Sequence, residues 1–132
     1  PSKLVDAQIT DSIVCEGTIL KSCSILHCVL GVRSRIESDA VIEDTLVMGS
    51  DFFESSEERI QLRNGGGIPL GVGEGSTVKR AILDKNTRVG NNVVIVNKDR
   101  VEEADRPDEG FYIRNGIVVV VKNATITDGT II

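Results

Sequence analysis

Aliphatic residues recur along this chain every six positions: Ile13, Ile19 and Ile25, then, after a step of five, Leu30, Ile36, Ile42 and Met48. The series resumes at Val72, Val78, Leu83, Val89 and Ile95, again with a five-residue step from Val78 to Leu83, and closes on Val120, Ile126 and Ile132. A small or medium residue follows four positions after most of them: Gly17, Cys23, Val29, Ser34, Ala40 and Leu46, then Ser76, Ile82, Thr87 and Val93, then Ala124 and Thr130. A period of six is neither the 3.6 of a helix nor the 2 of a plain strand. It fits a short strand and a turn, repeated around a triangular prism. Each aliphatic then points into a shared core and the small residue lets the chain turn the corner. Coils stacked about 4.8 Å apart pair every backbone amide with the coil above or below. Hexapeptide repeats are a signature of parallel β-helices, so the expected fold is all-β, with a β-sandwich of coincidental spacing as the alternative.

Two stretches interrupt the repeat and predict inserted loops. Within residues 50–69, Ser55-Ser56-Glu57-Glu58 reads as the capped start of a short helix running to about Arg63. Gly65-Gly66-Gly67 ends it, and Pro69 returns the chain to the prism. Residues 97–112, with Asn97-Lys98-Asp99 and Glu102-Glu103-Ala104-Asp105-Arg106-Pro107, read as too polar for core. Insertions in a solenoid leave from a coil edge and tend to carry binding or interface function.

Composition narrows the function. The 132 residues suffice for one domain. The only aromatics are Phe52, Phe53, Phe111 and Tyr112, a bias toward packing by β-branched residues. A net charge of −5 argues against a nucleic-acid partner, so any anion site must be a local cluster of Lys and Arg. No apolar run reaches the roughly 20 residues of a membrane span. Cys15, Cys23 and Cys28 fit reduced core or turn positions, without metal-ligand spacing. The chain opens on Pro1-Ser2-Lys3, which reads as a fragment.

Candidate chemistry is sparse. His27 is the only histidine, and a lone His on a β-helix face is more often structural than catalytic. Gly71, Gly73 and Gly75 fall within the hexad pattern with no helix after them, so they read as turns rather than a phosphate loop. Glu43/Asp44 and Glu102/Glu103 are adjacent in sequence, which on a strand directs them to opposite faces. The cations stand out instead. Lys85 lies in Asp84-Lys85-Asn86 and Lys122 in Val121-Lys122-Asn123, each beside a turn, with Arg33, Arg35 and Arg114 as further candidates. Long cations at coil corners can converge on a phosphate from different coils.

Several phrases together resemble the plant ADP-glucose pyrophosphorylases (glucose-1-phosphate adenylyltransferases). They are the segments 31–36, Glu43-Asp-Thr-Leu-Val-Met-Gly49-Ser-Asp51, 68–73, Ile82-Leu-Asp-Lys-Asn86, 94–99, the run from Glu103 to Gly116, and the ending from Lys122. Glu103-Ala-Asp-Arg-Pro107 and Phe111-Tyr-Ile-Arg114 resemble the large, regulatory subunit. Hexapeptide folds of this kind imply a left-handed helix, against the usual right-handed crossover. The resemblance implies that residues 1–132 are the C-terminal regulatory and assembly domain, without the catalytic nucleotidyltransferase domain. The family enzyme makes ADP-glucose and pyrophosphate from ATP and glucose 1-phosphate, with Mg²⁺, for starch synthesis in plastids. The fragment alone is expected to be inactive and to hold no cofactor. The implied partner is the small subunit in a heterotetramer. The implied effectors are 3-phosphoglycerate, which activates, and phosphate, which inhibits, with Lys85 and Lys122 as effector-binding residues. The alternatives are a hexapeptide acyltransferase using His27 at a trimer interface, and the β-helix tail of another sugar-nucleotide transferase.

Overall fold

A computed structural model describes residues 1–132. Short strands lie on three faces, and the chain visits them in turn. The first face holds Lys3–Val5, Ile19–Lys21, Arg35–Ile36, Gly71–Val72, Arg88–Val89 and Thr125–Ile126, all parallel. The second holds Gln8–Thr10, Ser24–Leu26, Val41–Glu43, Thr77–Lys79 and Val94–Ile95. The third holds Ile13–Val14, Val29–Leu30, Leu46–Val47, Ala81–Leu83 and Ile117–Val120. This is the predicted prism.

The core is a column of aliphatics, three to a coil: Leu20, Ile25 and Leu30; Ile36, Ile42 and Val47; Val72, Val78 and Leu83. The inward phase differs from the sequence expectation at three positions. Ile13 and Met48 are exposed and Ile19 is half-buried, while Val14, Val47 and Leu20 take the inward places. At these positions two aliphatics are adjacent, so spacing alone left the phase open. What fixes it is the small residue, buried two positions before the core aliphatic, as in Cys23/Ile25, Ser34/Ile36, Ala40/Ile42 and Thr87/Val89. On a strand, positions two apart share a face. The offset of four therefore fails at the short steps: Cys28, Thr45 and Ala81 fill the corners assigned to Val29, Leu46 and Ile82. These shorter steps, such as Ile25 to Leu30 and Ile42 to Val47, fall at the corner between the second and third faces.

The corners themselves are left-handed residues stacked in columns. Asp11, His27, Asp44 and Arg80 form the column between second and third faces, with φ from 47° to 53°. Arg33, Gly49, Asn86 and Asn123 form the one between third and first. Asn and Asp tolerate this region because their short polar side chains bond locally.

Both insertions are present, and the second departs from expectation. The first carries a helix, Ser56–Asn64, whose capping box is complete: Ser55 Oγ accepts from Glu58 N and Glu58 Oε1 accepts from Ser55 N. The second folds into strands Glu103–Arg106 and Phe111–Arg114, which extend the third face in antiparallel fashion. Asn115-Gly116, both at positive φ, turns the hairpin back into the prism. Phe111 is buried in the common core beside Ile113, so the expectation that residues 97–112 lie wholly outside it is corrected. Every second residue of that strand, Phe111 and Ile113, faces inward, a pattern the surrounding charge concealed.

Candidate anion site at one corner of the prism

Lys85 and Lys122 meet at the corner between the third and first faces. Leu83 pairs with Val120 in parallel register, so the two lysines, each two residues further on, occupy equivalent places on successive coils. Asn123 N–H donates to Lys85 O at 3.0 Å and locks the stacking. Each lysine is followed by an asparagine in the left-handed region, Asn86 at φ 60° and Asn123 at φ 64°. The Asp84 carboxylate accepts from Lys85 N at 2.7 Å and closes a local turn.

A third group completes the corner. Gly49, at φ 92°, leads the chain out of the previous coil and delivers Asp51 onto it. The Asp51 amide donates to Asn86 Oδ1 at 2.8 Å, while Asp51 Oδ2 accepts from Asn86 Nδ2 at 3.0 Å. Asp51 Oδ1 accepts from Lys85 Nζ at 3.1 Å. The Asn86 bond first, then the Lys85 bond and charge, and last the charge of Lys122, hold the Asp51 carboxyl below its ordinary range. Lys122 forms no ion pair of its own. The corner thus offers two ammonium groups on adjacent coils with one of them satisfied internally.

The other candidate cations are engaged elsewhere. Arg33 Nε donates to Ser50 O at 2.9 Å, and its guanidinium lies over the Phe53 ring, 5.8 Å from the centroid. Arg35 pairs with Glu37 on the first face. Arg114 pairs with Asp105 and Glu103 on the second insertion, which raises its pKa. None of these reaches the lysines, so five candidates reduce to two.

Behind the corner, charge rather than apolar contact seats the helix. No residue of Ser56–Asn64 is buried. Glu54, with its side chain only 4 % exposed, takes Arg59 at 3.2 Å, Arg88 at 2.8 Å and the amide of Leu70 at 2.7 Å. Arg59 also donates to Leu70 O, and burial, followed by the charge of Arg35, lowers its pKa. At the far end of the helix Arg63 reaches Asp128 and Asn91.

His27 is exposed at a left-handed corner with Nδ1 2.8 Å from Asp44 Oδ1. Glu43 is engaged separately by Lys79 at 3.6 Å. All three cysteines are free, and burial pushes the Cys23 and Cys28 thiols up, away from the reactive thiolate. Gly75 is a turn residue at positive φ, as the hexad pattern implied, whereas Gly71, also at positive φ, opens the strand Gly71–Val72.

Sequence reasoning missed Asp51 and Asn86. Both lie inside phrases quoted for the family resemblance. The usable signal was Asn86 itself, because an Asn at a solenoid corner marks a left-handed residue with a free amide side chain.

Comparison with known proteins agrees with this architecture. Residues 1–131 match the family model described as the GLGC left-handed parallel beta-helix domain. The chain is 50% identical over 132 residues to the glucose-1-phosphate adenylyltransferase small subunit, chloroplastic/amyloplastic, of Triticum aestivum. That alignment takes in 100% of this chain and 28% of the relative, so the chain spans just over a quarter of that protein's length.

Proposed function

The chain belongs to the GLGC left-handed parallel β-helix family, the domain of the ADP-glucose pyrophosphorylases, and on that premise we propose that it is a regulatory and assembly domain whose Lys85–Lys122 corner binds anionic effectors. The enzyme containing it would join ATP and glucose 1-phosphate to give ADP-glucose and pyrophosphate. That chemistry, with its Mg²⁺, is assigned to the part of the protein outside these residues, and residues 1–132 alone are expected to catalyse nothing. The relative's chloroplastic/amyloplastic name supports a plastid setting. The relative is a small subunit, whereas the phrases at 103–107 and 111–114 favour the large type for this chain. The partner proposed is accordingly a small subunit.

The observation that carries the effector reading is the in-register stacking of Lys85 on Lys122. Two lysines whose backbones lie about one coil spacing apart can both turn their ammonium groups to a phosphate ester, whose oxygens accept from each. The effectors proposed are 3-phosphoglycerate and inorganic phosphate. The test is the full-length subunit assembled with its partner, comparing wild type with Lys85→Ala and Lys122→Ala. We expect each substitution to raise the half-saturating concentration of 3-phosphoglycerate about tenfold, the loss of one charge-assisted contact of roughly 1.4 kcal/mol. Unchanged half-saturation in both variants would leave the domain with an assembly role only.

A further inference from the structure

We propose that Asp51 is a built-in counter-anion of the lysine corner, a carboxylate that an arriving phosphate ester must displace from Lys85. The inference rests on the effector-site reading above and deepens it.

The Asp51 carboxylate already occupies the place of a ligand. Its two oxygens take one donor each, Lys85 Nζ and Asn86 Nδ2, as two oxygens of a bound phosphate would. The residue is tethered at its root and open to solvent at its tip. Its amide is fixed to Asn86 Oδ1, and the carbonyl of the preceding Ser50 accepts from Arg33. The backbone just before it is held as well, with Gly49 O accepting from the Asn86 amide at 3.0 Å and Ser50 N–H donating to Val32 O at 2.9 Å. The carboxylate end remains about half exposed, so a side-chain rotation is enough to vacate the site. Because the Asp51 carboxyl sits below its ordinary range, the competitor is fully charged throughout the physiological pH range.

Charge then decides which anions succeed. At rest the corner carries two ammonium charges and two carboxylates, of which Asp84 accepts from the Lys85 amide and only Asp51 holds an ammonium group. A singly charged anion only exchanges one carboxylate for another, against a competitor tethered beside the site. A phosphate monoester, with nearly two charges at neutral pH, also engages Lys122, which Asp51 does not bond. Asp51 therefore sets the concentration at which effectors act and favours doubly charged ones.

The experiment uses the full-length subunit in its assembled enzyme, with wild type, Asp51→Asn, Lys85→Ala and the double variant. Asn keeps the Oδ atom that accepts from Asn86, so the corner stays folded. Responses are titrated with 3-phosphoglycerate and, separately, inorganic phosphate. We expect Asp51→Asn to lower the half-saturating concentration of both about 2- to 5-fold, the range of an exposed ion pair. In the Lys85→Ala background the same change should give a smaller gain. If Asp51→Asn leaves half-saturation unchanged or raises it while Lys85→Ala weakens the response, Asp51 is no competitor and the effector site stands without it. If Lys85→Ala has no effect on either titration, the effector reading itself fails and this inference goes with it.

Discussion

At the scale of single residues, the fold depends on left-handed corners. Fourteen non-glycine residues have positive φ, and nine of them are Asp or Asn, the types that accept it most readily. Ser22 at φ 44° and Arg80 at φ 53° are not, and so carry strain. Ser22 is exposed and pairs only through its backbone, donating to Val5 O. Ser22→Gly should thus stabilise the domain by about 0.5 kcal/mol, the left-handed cost less the added freedom of glycine in the unfolded chain. Gly49 gives the opposite sign. Its φ of 92° and the 2.2 Å approach of Val32 O leave no room for a methyl group. Gly49→Ala should destabilise by about 3 kcal/mol through strain and displaced backbone. Urea midpoints for the two variants should move in opposite directions, and a shared direction would refute the corner account. The hexad made these corners legible as turns but said nothing of what their side chains hold. Asn86 reads as a turn residue, and its grip on Asp51 joins positions 35 apart that no local pattern connects.

At the scale of elements, the two insertions were legible to different depths. The helix start was readable because a capping box is local: Ser55 and Glu58 bond each other three residues apart. Its docking was not, because Glu54 meets Arg88 from 34 positions away across the first face. The second insertion misled for the reverse reason. The charged run from Lys98 to Glu109 hid the inward face of the strand that follows it, Phe111–Arg114, whose outward members are Tyr112 and Arg114. The helix itself depends on the Glu54 cluster, since it buries no apolar residue. Glu54→Ala leaves Arg59 and Arg88 partly desolvated without their shared carboxylate, and orphans the amide of Leu70. Such a change should cost about 3–5 kcal/mol. Faster proteolysis confined to residues 52–68, with the prism intact, would be its local signature. A stability within about 0.5 kcal/mol of wild type would show that the helix is held by something else.

At the scale of the whole molecule, stability is distributed along a stack in which each coil touches only its neighbours. The inward residues of the middle coils are fully buried, whereas in the first coil Leu4 and Ile9 remain exposed and Val14 is only half-buried. One residue counteracts this one-dimensional character. Asp128, near the last coil, accepts from the amide of Asn91 at 2.7 Å and from Arg63 of the helix at 3.0 and 3.1 Å. It thereby ties the final coil, the coil before it and the first insertion together. The Asn91 amide first, then the Arg63 bond and charge, hold its carboxyl below the ordinary value of 3.8. The sign follows directly. A carboxyl whose folded pKa is depressed adds stability above the unfolded value, and that stability is lost as pH falls below it. Asp51 and the capping Glu58 are shifted the same way, by Asn86 and Lys85 and by the Ser55 backbone respectively. The domain should therefore hold a steady urea midpoint from pH 7 to about 5 and weaken progressively below about pH 4. Asp128→Asn should start from a lower midpoint at pH 7 and fall less steeply on acidification, because its share of the linkage is already gone. Hydrogen exchange would then localise the effect, with amides of Gly90 and Asn91 losing protection in the variant while those of Leu30 and Ile42 do not. An acid slope identical to wild type would mean that Asp128 joins the coils without contributing to their pH dependence.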